Sequence, residues 1–440
     1  MATSLATRPL SQGLVHPIGA RPATVLALAV PPLFLHAERQ PSLSLDVGSA
    51  TFDARLSDVA VLAVLLTAVA VARRHGLGAL RATPILWIAA AGLCAWVAAS
   101  ALYGPAVLPD YPFTENVVTA TKFVAYALLA PAVAVLVRDR DDVELLVRFL
   151  VGWAAVATAV GVLQFFGVDI FDAWPAGRRQ PSLLGHHDFA TLSGASLAVG
   201  LAGLVLEGRR RWIAIVAGVL GLVLAAPLAG LLGIVLAAGA LALIAARIRP
   251  YPLRRVAVAG AIVATVAAGM VAMRAEAVSA YLDFLSDDRP TTEIETYSQR
   301  TLLAYIGLRI FLDHPIVGVG LRGSEEPAAF EPYLADARRR FPDASPLAFP
   351  SKERKYGTQS LYVQSLADLG IVGGALLVAL LAAGLALGAR VARTPAGLVG
   401  LLWLLVCVGL WSAQGLVAGL PLEALTWMAL GLLAAGVATR

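Results

Sequence analysis

The chain has 440 residues, of which 59% are hydrophobic and only 14% charged, with a mean hydropathy of +0.77. Apolar runs long enough to cross roughly 30 Å of hydrocarbon recur along it, which excludes a water-soluble globule and marks an all-α, polytopic transmembrane helical bundle. The net charge of +5 is no argument for nucleic acid, because it hides a segregation of charge between the two faces of a membrane.

Twelve spans are predicted, near residues 23–37, 57–72, 83–101, 117–137, 145–166, 189–206, 212–226, 229–246, 255–273, 361–388, 398–416 and 421–438. The first is short and broken by Pro31 and Pro32, so eleven is the next count. Arg8 and Arg21 precede it, but no small-residue cleavage site follows, and it does not read as a cleavable signal. With a cytoplasmic N-terminus, twelve spans place eighteen arginines against five acids inside, and sixteen basic against twenty-four acidic residues outside. This is the positive-inside pattern, and it puts both termini in the cytoplasm. The expected organisation is helices 1–9 over residues 1–273, an extracytoplasmic loop over 274–360 and helices 10–12 over 361–440. Cys94 and Cys407 fall inside apolar spans and read as small buried hydrophobes.

The polar interruptions, taken in order, begin with Lys122 near the outer end of the fourth span. It either snorkels to the interface, the commonest fate of such a lysine, or turns inward as a cation for an anionic ligand. The short external segment 169–194 carries Arg178 and Arg179, which topology does not require, and then His186, His187 and Asp188. Three adjacent residues do not share one helical face, so proton transfer or substrate binding is a better reading of them than a metal site.

The long excursion from Arg274 to Gln359 contains a helix-periodic stretch, 297–313, with an apolar stripe at Leu302, Leu303, Ile306, Ile310 and Phe311. It is too short and too charged to span and is expected to lie along the outer membrane surface. Its two arginines fall on opposite faces. Arg309 has Asp313 four residues on, whereas Arg300 has no acid at three or four residues either way, which suits it to gripping phosphate oxygens. Lipid head groups compete for that role. Beyond it, Gly357, Thr358, Gln359 and Ser360 open the tenth span, with backbone N–H groups that either receive an anion or are capped by Thr358 or Ser360. Ser360, Gln364 and Asp368 recur every four residues and mark a polar stripe entering the membrane, facing the protein interior or a wet cavity.

Three segments resemble the O-antigen ligase and polymerase superfamily of membrane glycosyltransferases. FLDHPIVGVGLRG (311–323) matches its His-Pro and Gly-x-Gly signature after an arginine-bearing helix, and includes Arg322. QSLYVQSLADLGIVGG (359–374) matches the segment in which a histidine precedes Leu-Gly-x-x-Gly, and SLLGHHDFATLSGASLA (182–198) resembles a motif opening another span. The resemblance implies a GT-C-like bundle in the bacterial inner membrane that moves glycan from a polyprenyl-diphosphate carrier onto a glycan or glycolipid acceptor at the extracytoplasmic face, among membrane lipids. No cofactor and no divalent metal is implied. Two departures stand out. The family histidine is Gln359 here, which cannot accept a proton as a general base would, and the Ser-Arg often found between the seventh and eighth spans is replaced by Ala226, Pro227, Leu228 and Ala229.

The implied catalytic set is Arg300, Gln359, His187 and Asp188. The implied substrate-binding set is Arg178, Arg179, Lys122, His186, Ser360, Gln364, Asp368 and Arg322. Arg300 clamps the diphosphate, helped by Arg178, Arg179 or Lys122, and either the base is displaced to His187, Asp188, Glu325 or Glu326 or the chemistry relies on leaving-group stabilisation more than on a base. A transporter or flippase of a lipid-linked or anionic solute is the rival reading, although neither paired halves nor discontinuous helices are plain in the sequence. A non-catalytic glycan-binding relative is the third.

Overall fold

A computed structural model of the chain describes residues 21–47, 50–207, 211–248, 252–279, 296–416 and 418–438. The expected external loop therefore falls partly outside the described residues, over 280–295. In chain order the elements are α1 (Ala23–Leu33), an antiparallel hairpin of β1 (Ser42–Val47) and β2 (Ala50–Arg55), α2 (Leu56–His75), α3 (Pro84–Val107), α4 (Phe113–Leu136) and α5 (Arg140–Phe165). Next come α6 (His186–Glu207), α7 (Trp212–Ala225), α8 (Leu228–Ile244), α9 (Leu253–Met273), α10 (Thr296–Asp313) and α11 (Pro327–Arg340). The chain closes with α12 (Leu361–Val391), α13 (Pro395–Ala413) and α14 (Pro421–Val437).

Every one of the twelve apolar runs is thus helical, and among the described residues eight helices are long and apolar enough to cross a membrane. The other four apolar helices, α1, α7, α8 and α14, are shorter. The hairpin is an element the apolar pattern did not anticipate.

Apolar surface on all sides of a helix requires neighbours on all sides, and α6 and α13 occupy that position, buried along nearly their whole length. Small residues let their neighbours close in. A methyl group at Gly409 would stand 2.1 Å from the backbone nitrogen of Gly233, so α13 and α8 cross in backbone contact. At one end of the bundle, Arg21 pairs with Asp141, Arg140 with Glu207 and Arg211 with Glu144.

The opposite end carries a second layer. Leu302, Leu303, Ile306 and Ile310 of α10 join Phe330 and Ala337 of α11, Val319, Phe349 and Ala367 in a separate hydrophobic core. The α10 stripe, expected to rest on lipid, is covered by protein instead, with Phe311 half-buried at its edge. The expected Arg309–Asp313 pair does not form either. Arg309 approaches Asp336 on α11 at 4.0 Å, and Asp313 accepts the Tyr333 hydroxyl at 2.6 Å.

Layer and bundle are stitched together where α12 breaks. Gly370 adopts φ +65° and ψ −167°, and a Cβ there would lie 2.2 Å from the Ile316 carbonyl oxygen, so only glycine fits. The polar groups freed by the break are taken up from outside the helix, as backbone at bilayer depth requires. Val319 N donates to Ala367 O (3.0 Å), Gly320 N to Asp368 O (2.9 Å) and Ile371 N to Pro315 O (2.8 Å). Three aromatic donors clamp the seam: Trp96 Nε1 to Leu369 O at 2.9 Å, Tyr111 hydroxyl to Leu321 O at 2.8 Å, and the Tyr103 hydroxyl to Val317 O. A discontinuous helix, not plain in the sequence, is therefore present.

Candidate active site

Gly185, at φ +84°, turns the chain so that α6 starts at His186 directly beneath the layer, with His36 packed against its α-carbon. This brings three segments far apart in sequence to one guanidinium. Arg300 Nε of α10 donates to Gln359 Oε1 at 3.2 Å, and Arg300 Nη2 lies 3.3 Å from His187 Nε2. Arginine carries donors only, so this contact requires His187 Nε2 to present its lone pair and the ring proton to sit on Nδ1. Nδ1 itself is buried, with no hydrogen-bond partner among the described residues. Gln359 is held at φ +50°, a left-handed conformation that costs a non-glycine residue about 1–3 kcal/mol and persists only where its surroundings impose it.

Flat groups continue from this centre toward the surface. The His186 and His187 rings are 4.0 Å apart, Trp174 lies 5.2 Å from His186, and the Arg179 guanidinium sits 4.4 Å over the Trp174 ring. Arg274, at the C-terminal end of α9, is buried, and its charge reaches His186 as do those of Arg179 and Arg300. Trp174 and Arg274 were not singled out from the sequence. A tryptophan in a polar external loop and an arginine flanking a span each have commoner explanations.

The remaining expected site residues are placed differently. Asp188 is buried in the first turn of α6, its Oδ1 without a hydrogen-bond partner among the described residues. Arg178 is exposed on the loop. Lys122 does not snorkel. It is turned inward onto Asp58 of α2 (2.9 Å), and its charge also reaches Glu423 of α14, so acids of the bundle occupy it rather than the Arg300 group.

The Ser360, Gln364 and Asp368 stripe faces protein, not a wet cavity. Ser360 is the N-cap of α12 without a side-chain cap bond, while Thr358 Oγ1 donates to its carbonyl, so the expected side-chain capping is absent there. Gln364 accepts Leu416 N at 2.5 Å and donates to Glu325 at 3.4 Å. Asp368 is fully buried and accepts the backbone N–H groups of Arg322 and Ser324, each at 2.9 Å. Arg322 in turn pairs with Glu325 at 2.8 Å, and Glu326 with Lys355 at 2.7 Å.

Residues 212–378 match the O-antigen ligase family. The chain is O-antigen ligase-like. The matched stretch runs from α7 to the middle of α12, so it contains Arg300, Gln359, Asp368 and the Gly370 break, while His187 and the Arg179 loop lie before it. No curated protein matches the chain. In this O-antigen ligase-like protein the turn that replaces Ser-Arg is apolar, with Ala226 at φ +40° and fully buried. The loop bearing Arg179 is anchored beside that turn, since Gln180 N donates to Leu224 O at 2.8 Å.

Proposed function

We propose that the protein is a membrane glycosyltransferase that transfers or polymerises glycan from a polyprenyl-diphosphate carrier onto a glycan or glycolipid acceptor. In this reading the chain crosses the bacterial inner membrane twelve times with both termini in the cytoplasm, and the layer of residues 296–360 faces outward. The observation that carries it is the Arg300 guanidinium shared between Gln359 and His187. A fixed cation can meet the charge that develops on a diphosphate leaving group, and a neutral imidazole beside it can take the acceptor's proton.

The acceptor hydroxyl gives its proton to His187 Nε2 as its oxygen attacks the anomeric carbon. The bond to the carrier breaks, its electron pair stays on the diphosphate oxygen, and Arg300 meets the charge that develops there. In the resting arrangement Arg300 occupies the His187 lone pair. Arrival of a diphosphate draws that donor away and frees the base, so the carrier itself readies the site. Gln359, which cannot serve as the base, orients the acceptor and holds the guanidinium.

The break in α12 does not favour a transport reading, because its freed groups are bonded to residues 315–320 rather than facing a cavity. The test is transfer in liposomes holding purified protein, lipid-linked glycan and acceptor. Arg300→Ala is expected to lower the rate by about 10²–10³ while the protein still accumulates, the usual cost of removing one donor to a developing oxyanion. Arg309→Ala, which breaks a half-exposed ion pair, is expected to change the rate by less than about threefold. Wild-type transfer by Arg300→Ala would remove the clamp and the mechanism with it.

A further inference from the structure

The two faces of the hairpin β1–β2 differ. Leu43 and Leu45 alternate with Ser42, Ser44 and Asp46, so β1 turns its leucines to one side and its polar residues to the other. Leu43 is 64% and Leu45 44% exposed, while on the polar side Ser44 Oγ donates across the strands to Asp53 Oδ1 at 2.7 Å. Ala54, paired with Leu43, shares the leucines' side. A lone two-stranded hairpin is at best marginally stable in water, and an apolar face left bare does not help it.

What covers that face follows from where the hairpin is rooted. Arg55 ends β2 and Leu56 begins α2 with no linker between them, and α2 is long and apolar enough to cross the membrane. Leu56, Val59, Leu62, Leu66 and Val69 are exposed along α2, as on a spanning helix that meets lipid. Its 20 residues rise about 30 Å, the thickness of the hydrocarbon, so Leu56 lies at the hydrocarbon edge. Ala54 is two strand positions, about 7 Å, from Leu56, and its partner Leu43 therefore stands in the head-group layer, about 5–8 Å thick. Leu45, opposite Phe52, is about 13 Å away and reaches that layer when the hairpin leans onto the bilayer. The root is firm. Gln40, buried just ahead of β1, accepts Ser57 N at 2.9 Å and donates to Leu35 O at 2.7 Å, and Arg39 donates to Phe171 O at 2.6 Å and to Asp172 at 2.9 Å.

We propose that the hairpin is a lipid-docking element, leaning onto the leaflet at the candidate-site end of the bundle with Leu43 and Leu45 in the phospholipid head-group layer and Ser42 and Ser44 toward water. Its apolar side continues the lipid-facing stripe of α2, which is why phospholipid, rather than a second protein surface, is its partner. Through Arg39 the seated hairpin also sets the height above the bilayer of the loop at Phe171 and Asp172 that leads to His186.

The experiment uses full-length protein with Cys94 and Cys407 replaced, in nanodiscs of phosphatidylethanolamine and phosphatidylglycerol. Ser42→Cys, Leu43→Cys, Ser44→Cys, Leu45→Cys and Ala54→Cys are each labelled with an environment-sensitive fluorophore, and quenching is read with lipids spin-labelled near the head-group end of the acyl chain. An apolar face seated about 5–10 Å into the head-group and acyl boundary should make the probes at 43, 45 and 54 about twofold or more as quenched as those at 42 and 44. Because a probe can itself favour lipid, the reporter at 54 is repeated with Leu43→Ser and Leu45→Ser together, which is expected to remove about half or more of its quenching. Quenching at 43 without 45 leaves the hairpin upright, equal quenching on both sides leaves it without a lipid-facing side, and no quenching leaves its leucines to water or to another protein. Each of these overturns the docking, as does quenching at 54 that survives the double substitution.

Discussion

Replacing Asp368 by asparagine separates a residue that lines a substrate path from one that anchors a loop. The carboxylate accepts two backbone amides, Arg322 N and Ser324 N, each at 2.9 Å and away from water. Asparagine has the same shape but one acceptor, so one amide meets an NH₂ group and neither donor is satisfied. The loss of one bond to a charged group and the stranding of a buried amide together cost about 2–5 kcal/mol. That is large against the roughly 5–15 kcal/mol by which folded proteins are ordinarily stable. Detergent-purified protein would be heated and the surviving monodisperse fraction read by gel filtration, alongside glycan transfer at 25 °C. The variant is expected to melt well below wild type and to lose transfer only in proportion to the folded protein lost. An unchanged melting curve with impaired carrier binding would refute this and restore Asp368 to the substrate wall that its spacing with Ser360 and Gln364 suggested.

Two further outcomes bear on the base and on orientation. Gln359→Ala is expected to slow transfer about 10- to 100-fold, as for a positioning contact, whereas His187→Ala is expected to be the more damaging change and to alter the pH dependence of transfer. A faster enzyme from Gln359→His would instead show that the base had been lost rather than moved. In a background with Cys94 and Cys407 replaced, a single cysteine at the exposed position Ala335 should react with an impermeant thiol reagent in intact cells, and one at Arg74 should not. Labelling at position 74 without permeabilisation would invert the orientation.

The bundle was legible because apolar length is a local property, and each predicted run is a helix. The candidate site was legible in part. Arg300, Gln359 and His187 were each marked by a residue type that an apolar chain does not place at a membrane surface without cause, and they do meet. The break at Gly370 could not be read locally. Glycine is ordinary in a membrane helix, and the partners that accept the broken turn come from residues 315–320, about fifty positions earlier. The same holds for Arg309, whose acid lies on another helix. The hairpin did leave a signal that apolar length ignores: Leu43 and Leu45 alternate with Ser42, Ser44 and Asp46 ahead of Gly48 and Ser49.

The seam at α12 also governs how such proteins can be recombined. Donors and acceptors on residues 315–324 are matched one for one to a helix that begins thirty-seven residues further along, with Trp96, Tyr103 and Tyr111 spliced in from a third place. A layer transplanted from a relative without its own broken helix and aromatic clamp would arrive with several peptide groups facing hydrocarbon unmet. The tradeable unit is therefore the layer, α3 with the turn through Tyr111, and α12 together, and specificity borrowed in any smaller piece should be sought in side chains alone.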